Sequence, residues 1–272
     1  MGNTVFYDAT NPGAQKFVWD KCKENYYKNG VRCFWLDEAE PELTGYEFSH
    51  YRYFRGADME VGNMYPKEYA RMAYEGMEEE GQENIVNLLR CAWAGSQKYG
   101  VLTWSGDIHS SFRAMREQLQ AGLNMSVAGI PWWTSDIGGF VGGNIKDPYF
   151  KELLVRWFAW GCFCPVFRMH GERSPWYERE EEFINNVRQL TSGQDNEVWS
   201  FGEDNYEILK KYLFIRERLR PYIRECMKQA SLTGAPVMRP LFFDFDGRSP
   251  LVNMWNNVSI RLAKLTKLPQ AS

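Results

Sequence analysis

Hydrophobic residues recur at helical spacing in several stretches of the chain, and short strand-like runs lie between these stretches. The helical patterns predict helices over residues 16–29, 65–80, 111–124, 148–162 and 206–230. The strand-like runs cover residues 31–37, 85–89, 100–104, 126–133 and 164–167. Strands that alternate with helices in this way favour an α/β fold with a parallel sheet and crossover helices.

The run at residues 31–36 is informative because an acidic turn follows it directly. Apart from Arg32, this run is apolar and aromatic, so it predicts a buried strand. The residues that follow are Asp37, Glu38, Ala39, Glu40, Pro41 and Glu42. Alone, such a turn is most simply interpreted as a solvated loop. In a barrel of alternating strands and helices, however, catalytic residues lie at the carboxyl ends of the strands.

Length, composition and charge allow a sizeable core and disfavour several classes of partner. The chain has 272 residues, 44% of them hydrophobic, which is enough for one large or two modest domains. A net charge of −3 produces no field that would attract nucleic acid or an anionic membrane. The six cysteines include no Cys-x-x-Cys pair and are interpreted as reduced core residues. With no recognisable signal peptide or spanning segment, the sequence predicts a cytoplasmic protein.

Polar residues of chemical use follow the strand-like runs. They are Asp37, Arg90, Asp107, Asp136 and His170. Each has a simpler explanation, such as a tight turn or a hydrogen-bonded core histidine, but together they predict a concave site on one barrel face. Paired carboxylates on different strands suit retaining glycoside hydrolysis, in which one attacks the sugar and the other protonates the leaving oxygen, at roughly 5 Å separation. The same residues could instead bind a metal, but no His-x-His or His-x-x-x-His spacing supports this, so no metal or cofactor is expected.

Several sequence blocks, in the same order, resemble those of glycoside hydrolase family 31, the retaining α-glucosidases and α-xylosidases. The blocks are residues 35–41 (Trp-Leu-Asp-Glu-Ala-Glu-Pro), 90–99 (Arg-Cys-Ala-Trp-Ala-Gly-Ser-Gln-Lys-Tyr), 104–107 (Trp-Ser-Gly-Asp), 135–140 (Ser-Asp-Ile-Gly-Gly-Phe) and 167–170 (Phe-Arg-Met-His). The resemblance implies a partial (β/α)8 barrel, containing about strands four to eight with their helices.

The resemblance also implies functions for individual residues and a carbohydrate substrate. Asp37 would be the nucleophile and Asp107 the acid/base. Arg90 would lie beside the nucleophile, where its positive charge would keep Asp37 ionised. The residues implied to contact the sugar are Trp35, Glu38, Arg90, Trp104, Asp136, Phe140, Arg168 and His170.

The chain departs from the resembled family in two respects. Residues 38–40 are Glu-Ala-Glu, where α-glucosidases commonly have Met-Asn-Glu. This variant resembles bacterial α-xylosidases more closely, so the substrate sugar could be xylose or glucose. Counterparts of the family's N-terminal β-sandwich, first barrel strands and C-terminal β-domains are not recognisable. We therefore expect a truncated barrel over residues 1–235, followed at 236–272 by the start of a C-terminal β-domain or an irregular tail. An open barrel would associate through its exposed edges.

Three functions stay open from the sequence. The first is a retaining α-glycosidase that hydrolyses terminal non-reducing α-linked sugars through a covalent glycosyl-enzyme intermediate. The second is a non-catalytic remnant that binds sugar, because part of the site would be missing. The third is an α-glucan lyase, since the resembled family includes lyases that share the nucleophile.

Overall fold

The computed structural model describes residues 6–40, 48–175, 183–184, 187–188, 193–245 and 258–260. In these ranges the helices are α1 (Pro12–Asn25), α2 (Asp58–Val61), α3 (Tyr65–Glu79), α4 (Phe112–Val127), α5 (Pro148–Gly161) and α6 (Glu203–Thr233). The strands are β1 (Trp35–Leu36), β2 (Arg52–Tyr53), β3 (Gly56–Ala57), β4 (Asn87–Leu89), β5 (Val101–Thr103), β6 (Gly143–Asn144), β7 (Arg173–Ser174), β8 (Phe183–Ile184), β9 (Val187–Arg188), β10 (Met238–Pro240) and β11 (Val258–Ile260).

The chain divides into two compact units, Met1–Trp104 and Ser105–Ser272. The predicted domain boundary at residue 235 stays a prediction. Of the predicted second region, residues 246–257 and 261–272 lie outside the described ranges, as do Pro41 and Glu42 of the acidic turn.

The first unit contains a parallel sheet with the strand order β1, β4, β5. Leu36 lies opposite Leu89 in the register of β1 and β4, and parallel pairing continues from β4 to β5. Helices α1 and α3 bury their apolar faces in the same core, which includes Trp19 and Met77. Gly76 allows α1 and α3 to approach closely, because a Cβ there would lie 2.3 Å from the Trp19 ring. The predicted helix at residues 65–80 and the parallel strands are therefore present.

The first predicted strand is shorter and less buried than its sequence indicates. Leu36 is buried, whereas Val31 and Trp35 are 38% and 48% exposed. The Phe34 N–H donates to the Asn87 side-chain oxygen at 2.9 Å instead of to a strand carbonyl. Since a side chain satisfies this backbone group, the regular ladder begins only at Trp35.

The second unit contains the three helices predicted after residue 104, and side-chain caps fix the starts of α4 and α5. Ser111 accepts from the Ala114 N–H at the start of α4, and Asp147 accepts from the Tyr149 N–H at the start of α5. Helix α6 is longer than predicted and ends at Gly234, whose φ of +75° is typical of a helix C-terminus. No described helix combines the length and the apolar character that crossing a membrane requires.

Two predicted strands, residues 126–133 and 164–167, do not form as regular strands. Ser126 and Val127 are instead the last turn of α4, where the Ser126 hydroxyl hydrogen-bonds with Gly122 O at 2.9 Å and Met238 O at 2.6 Å. In residues 162–165 the carbonyl groups of Cys162, Cys164 and Pro165 accept from the Arg216 guanidinium. These contacts and the missing N–H of Pro165 interrupt a regular ladder, although the Val166 N–H still donates to Trp133 O at 3.4 Å.

Candidate active site

In the first unit, Asp37 and Trp104 lie at the carboxyl ends of β1 and β5, and Trp35 is the first residue of β1. Asp37 directly follows Leu36, and its side chain is exposed. The buried Trp104 follows β5 and meets the half-exposed Trp35 edge to face, with ring centroids 5.5 Å apart and an interplanar angle of 81°. This contact fixes an indole face two residues before Asp37. Such a flat apolar face with a polar edge suits a sugar ring.

Arg90 follows β4 and forms an ion pair with Glu40, a residue to which the sequence resemblance gave no function. Glu40 also accepts from the Cys91 thiol at 3.7 Å, and burial raises the pKa of Cys91 to about 12. Glu38 lies between Asp37 and this pair in a left-handed backbone conformation, with φ of +53°. The expectation that Arg90 keeps Asp37 ionised stays a prediction.

In the second unit, Ser105 connects the segment of Asp107 to the segment of Asp136. The Asp136 N–H donates to Ser105 Oγ at 3.1 Å. On the other side of Asp136, the Trp157 indole N–H donates to Ser135 Oγ at 2.9 Å. The Asp107 side chain is exposed. Ser105 and Trp157 were not among the predicted site residues, since neither side chain carries charge or belongs to a recognised catalytic pattern.

Asp136 is fully buried and forms an ion pair with Arg168. Burial raises the pKa of Asp136 to about 6, the Arg168 cation opposes this increase, and the negative charge of Asp107 adds to it. Asp136 Oδ1 contacts Arg168, whereas the buried Oδ2 has no hydrogen-bond partner among the described residues. The carboxyl group therefore keeps one acceptor for a further donor.

Phe140 and His170 form a second contact between residues 136–140 and residues 168–172, the two segments that the Asp136–Arg168 ion pair also joins. Their rings stack with centroids 5.4 Å apart and an interplanar angle of 26°. The Glu172 N–H donates to Phe140 O at 2.8 Å and connects the two backbones directly. The structure thus brings together Asp136, Phe140, Arg168 and His170, which sequence reasoning assigned to one site.

A metal centre is not apparent in the described residues, which contain no group of three or more His, Cys, Asp or Glu side chains suited to hold an ion. In each unit an arginine pairs with one of the acidic residues, Arg90 with Glu40 in the first and Arg168 with Asp136 in the second. Carboxylates, a histidine and aromatic faces are a set that suits a polar, ring-shaped organic ligand.

Residues 1–225 match the family model described as the glycosyl hydrolases family 31 TIM-barrel domain. The chain belongs to glycosyl hydrolase family 31. It is 63% identical over 175 residues to an uncharacterized family 31 glucosidase of Pseudescherichia vulneris, covering 64% of this chain and 33% of that protein. It is 33% identical over 276 residues to alpha-xylosidase A of Aspergillus niger, covering 91% of this chain and 36% of that protein.

The solved structures include a family 31 alpha-xylosidase from a soil metagenome in complex with xylose. Its sequence is 59% identical to this chain, its TM-score is 0.90, and the match covers 95% of this chain and 38% of that one. The predicted family and the predicted partial (β/α)8 barrel are confirmed, and the described strands form no closed barrel. The chain spans about a third of the length of the curated relatives it matches. The individual functions of the site residues stay predictions.

Proposed function

We propose that this chain carries the nucleophile and the acid/base of a retaining α-glycosidase of the α-xylosidase or α-glucosidase type. The enzyme would hydrolyse terminal non-reducing α-linked sugars. The observation that supports this proposal most strongly is family 31 membership, combined with Asp37 and Asp107 following two strands of a parallel sheet.

The proposed reaction needs two carboxyl groups in different protonation states. Asp37 would attack the anomeric carbon as a carboxylate and form the glycosyl-enzyme intermediate. Asp107 would first protonate the leaving oxygen and would then take a proton from the water that releases the sugar. The exposure of both side chains supports this assignment, since each must reach substrate.

The remaining site residues would bind the sugar in the subsite where the bond is cleaved. Trp35 and Trp104 offer aromatic faces near Asp37. In the second unit, the ring of His170 would bind sugar hydroxyls, while the buried Asp136 and Arg168 would hold the site's charges in place. Glu38 and Arg90 would contribute polar contacts near the nucleophile, and Phe140 an apolar one.

An α-xyloside is the first substrate to test, because relatives named as alpha-xylosidases match most of this chain. The full-length protein, including any sequence beyond this chain, would be incubated with p-nitrophenyl α-xyloside and p-nitrophenyl α-glucoside. Proton NMR would identify the anomer that forms first. We expect the α-anomer, since two inversions at the anomeric carbon retain its configuration.

Other products would support the other functions. An unsaturated sugar would identify a lyase, and binding of xylose or glucose without turnover would identify a non-catalytic sugar-binding protein. Release of the β-anomer would contradict the proposed mechanism. Asp37→Asn is the matched control for background hydrolysis.

We further propose that the protein acts in the cytoplasm and that β1 offers an edge for association. In the described residues β1 pairs with β4 on one side. Trp35 in β1 and Val31, four residues before it, are both partly exposed. Light scattering of this chain alone should detect species larger than a monomer. A monodisperse monomer would contradict association through this edge.

A further inference from the structure

Arg173 is a fully buried cation that none of the steps proposed above uses. It lies in β7, which pairs in parallel with β6, and its side chain is 0% exposed. Its guanidinium also lies over the Phe150 ring, 5.1 Å from the centroid. Burial lowers the pKa of Arg173 to about 10, so the side chain keeps its charge at neutral pH. A buried charge costs stability unless it is fully hydrogen-bonded. The acceptors of the Arg173 guanidinium therefore indicate its function.

Every N–H group of the Arg173 guanidinium has an acceptor. Nε donates to the Asn196 side-chain oxygen at 2.8 Å. Nη1 donates to Gly139 O at 2.8 Å and to Glu172 O at 3.0 Å. Nη2 donates to Ile137 O at 3.0 Å and to His170 O at 3.3 Å. Arginine carries five N–H donors in a rigid plane, and this arrangement uses all of them.

The four backbone acceptors come from two segments, and these segments carry the candidate sugar-binding residues. Ile137 and Gly139 lie in residues 136–140, between Asp136 and Phe140. His170 and Glu172 lie in residues 168–172, which begin at Arg168. One planar group therefore connects the two segments through their backbones, while Asp136–Arg168 and Phe140–His170 connect them through side chains.

Glycines around Arg173 leave the space that its guanidinium fills. A Cβ on Gly171 would lie 2.7 Å from Arg173 Nη1, and one on Gly138 or Gly143 would lie 3.0 Å from an Arg173 nitrogen. Gly138 and Gly171 also have φ of +91° and +138°, backbone conformations that residues other than glycine rarely adopt. The backbone is thus shaped around this one side chain, and a smaller or differently shaped group would leave carbonyls unpaired.

We propose that Arg173 is a positioning residue that fixes residues 136–140 and 168–172 against each other, so that Phe140, Arg168 and His170 present one sugar-binding surface supported by the buried Asp136. This rests on the proposed glycosidase function for the identity of the ligand. The hydrogen-bond geometry of Arg173 is independent of it.

Arg173→Lys is the decisive variant, because lysine keeps the charge but offers three donors on a single nitrogen and no plane. We expect kcat/KM for an aryl α-xyloside to fall by about 100-fold, as a misplacement of roughly 1 Å does in other sites. The loss should appear mainly in kcat. Arg239→Lys is the matched control, since Arg239 is also buried in the second unit and multiply hydrogen-bonded, to Asp244 and Pro236. It should change kcat/KM less than threefold.

Asn196 provides a milder pair of variants in case Arg173→Lys does not fold. Asn196→Ala removes the acceptor of Nε and leaves the guanidinium in place, so kcat/KM should fall several-fold. Asn196→Asp keeps the side-chain oxygen and should restore most of the activity. A role limited to folding would not distinguish Ala from Asp once both variants are shown to be folded.

Hydrogen–deuterium exchange separates failure of this inference from failure of the proposed function, because it needs no substrate. In Arg173→Lys the amides of residues 136–140 and 168–172 should both exchange faster, whereas Arg239→Lys should leave them unchanged. If the protein hydrolyses α-glycosides but Arg173→Lys matches Arg239→Lys in activity, the positioning role is wrong and the proposed function stands. If no glycoside is hydrolysed, unchanged exchange in both segments would still overturn the role of Arg173.

Discussion

Asp136 and Arg168 form an ion pair in which the carboxylate is fully buried and the guanidinium keeps 18% of its side-chain surface exposed. Burial raises the pKa of Asp136 to about 6 even though the cation opposes this increase. The ion pair therefore leaves an acid that is ionised at neutral pH but gains a proton in mildly acidic solution. The protonation of Asp136 is therefore coupled to the free energy of unfolding.

Asp136 makes the stability of the wild-type protein depend on pH between about 4 and 6. In this window the folded protein holds the Asp136 proton, whereas the unfolded chain releases it at its ordinary pKa of 3.8. A pKa that is higher in the folded state means that stability is lost as pH rises through the window. Thermal unfolding at pH 4, 5, 6 and 7 should show the wild type losing stability relative to Asp136→Asn, by at most about 3 kcal/mol.

The matched control is Asp20→Asn, because Asp20 is 52% exposed and pairs with Lys16 at the surface. Its difference from the wild type should not follow the pH trend of Asp136→Asn. A constant difference between the wild type and Asp136→Asn across the range would show that the Asp136 proton does not couple to folding.

Gly139→Ala should destabilise the protein and disturb the site, because the turn after Asp136 has no room for a side chain. Gly139 has φ of +79°, and a Cβ there would lie 2.6 Å from the Cα of Ser110. Backbone strain costs about 1–2 kcal/mol by itself, and the overlap with rigid backbone adds to it. We expect the free energy of unfolding, from denaturant titration, to fall by more than about 3 kcal/mol.

Gly234→Ala isolates the strain from the overlap. Gly234 has nearly the same φ, +75°, but a Cβ there would have no atom within 4 Å. This substitution should cost only the backbone strain, about 1–2 kcal/mol. Equal losses for the two variants would mean that the segment around Ser110 moves aside at little cost.

Much of the helical architecture is predictable from the sequence, because local patterns determine where the helices lie. The apolar face of α3 and the caps of α4 and α5 are local signals. The runs at 126–133 and 164–167 mislead because strand formation depends on distant partners. Ser126 bonds to Met238, and the carbonyls of residues 162–165 bond to Arg216, neither of which is visible in a local window.

The sequence suggests residues for the candidate site, whose roles stay predictions, but it does not show what holds them in place. Asp136 and Arg168 are charged and follow apolar runs, so they attract attention in a sequence. Arg173 does not, because an arginine five residues after Arg168 is normally assumed to be solvated. Its function depends on five acceptors from three segments, and only the folded chain shows these together.

Asp37→Asn should abolish turnover in the full-length protein. An amide is a poor nucleophile, and the covalent step has no substitute, so kcat should fall by several orders of magnitude. Stopped assays with p-nitrophenyl α-xyloside would measure the loss, and Asp20→Asn in the same unit is the control for removal of a surface charge. Substantial residual activity in freshly purified Asp37→Asn would refute the assignment of the nucleophile.

Asp107→Ala should separate substrates according to their leaving groups. Activated aryl α-glycosides need little protonation, so the first step should remain fast for them, whereas poor leaving groups should react far more slowly. Hydrolysis of the intermediate also needs a base, so the covalent intermediate should accumulate. Added azide attacks without base assistance and should restore turnover, with the α-glycosyl azide as product. An equal loss for all leaving groups without azide rescue would instead point to a binding role for Asp107, because a residue that only holds the sugar affects every substrate through the same contacts.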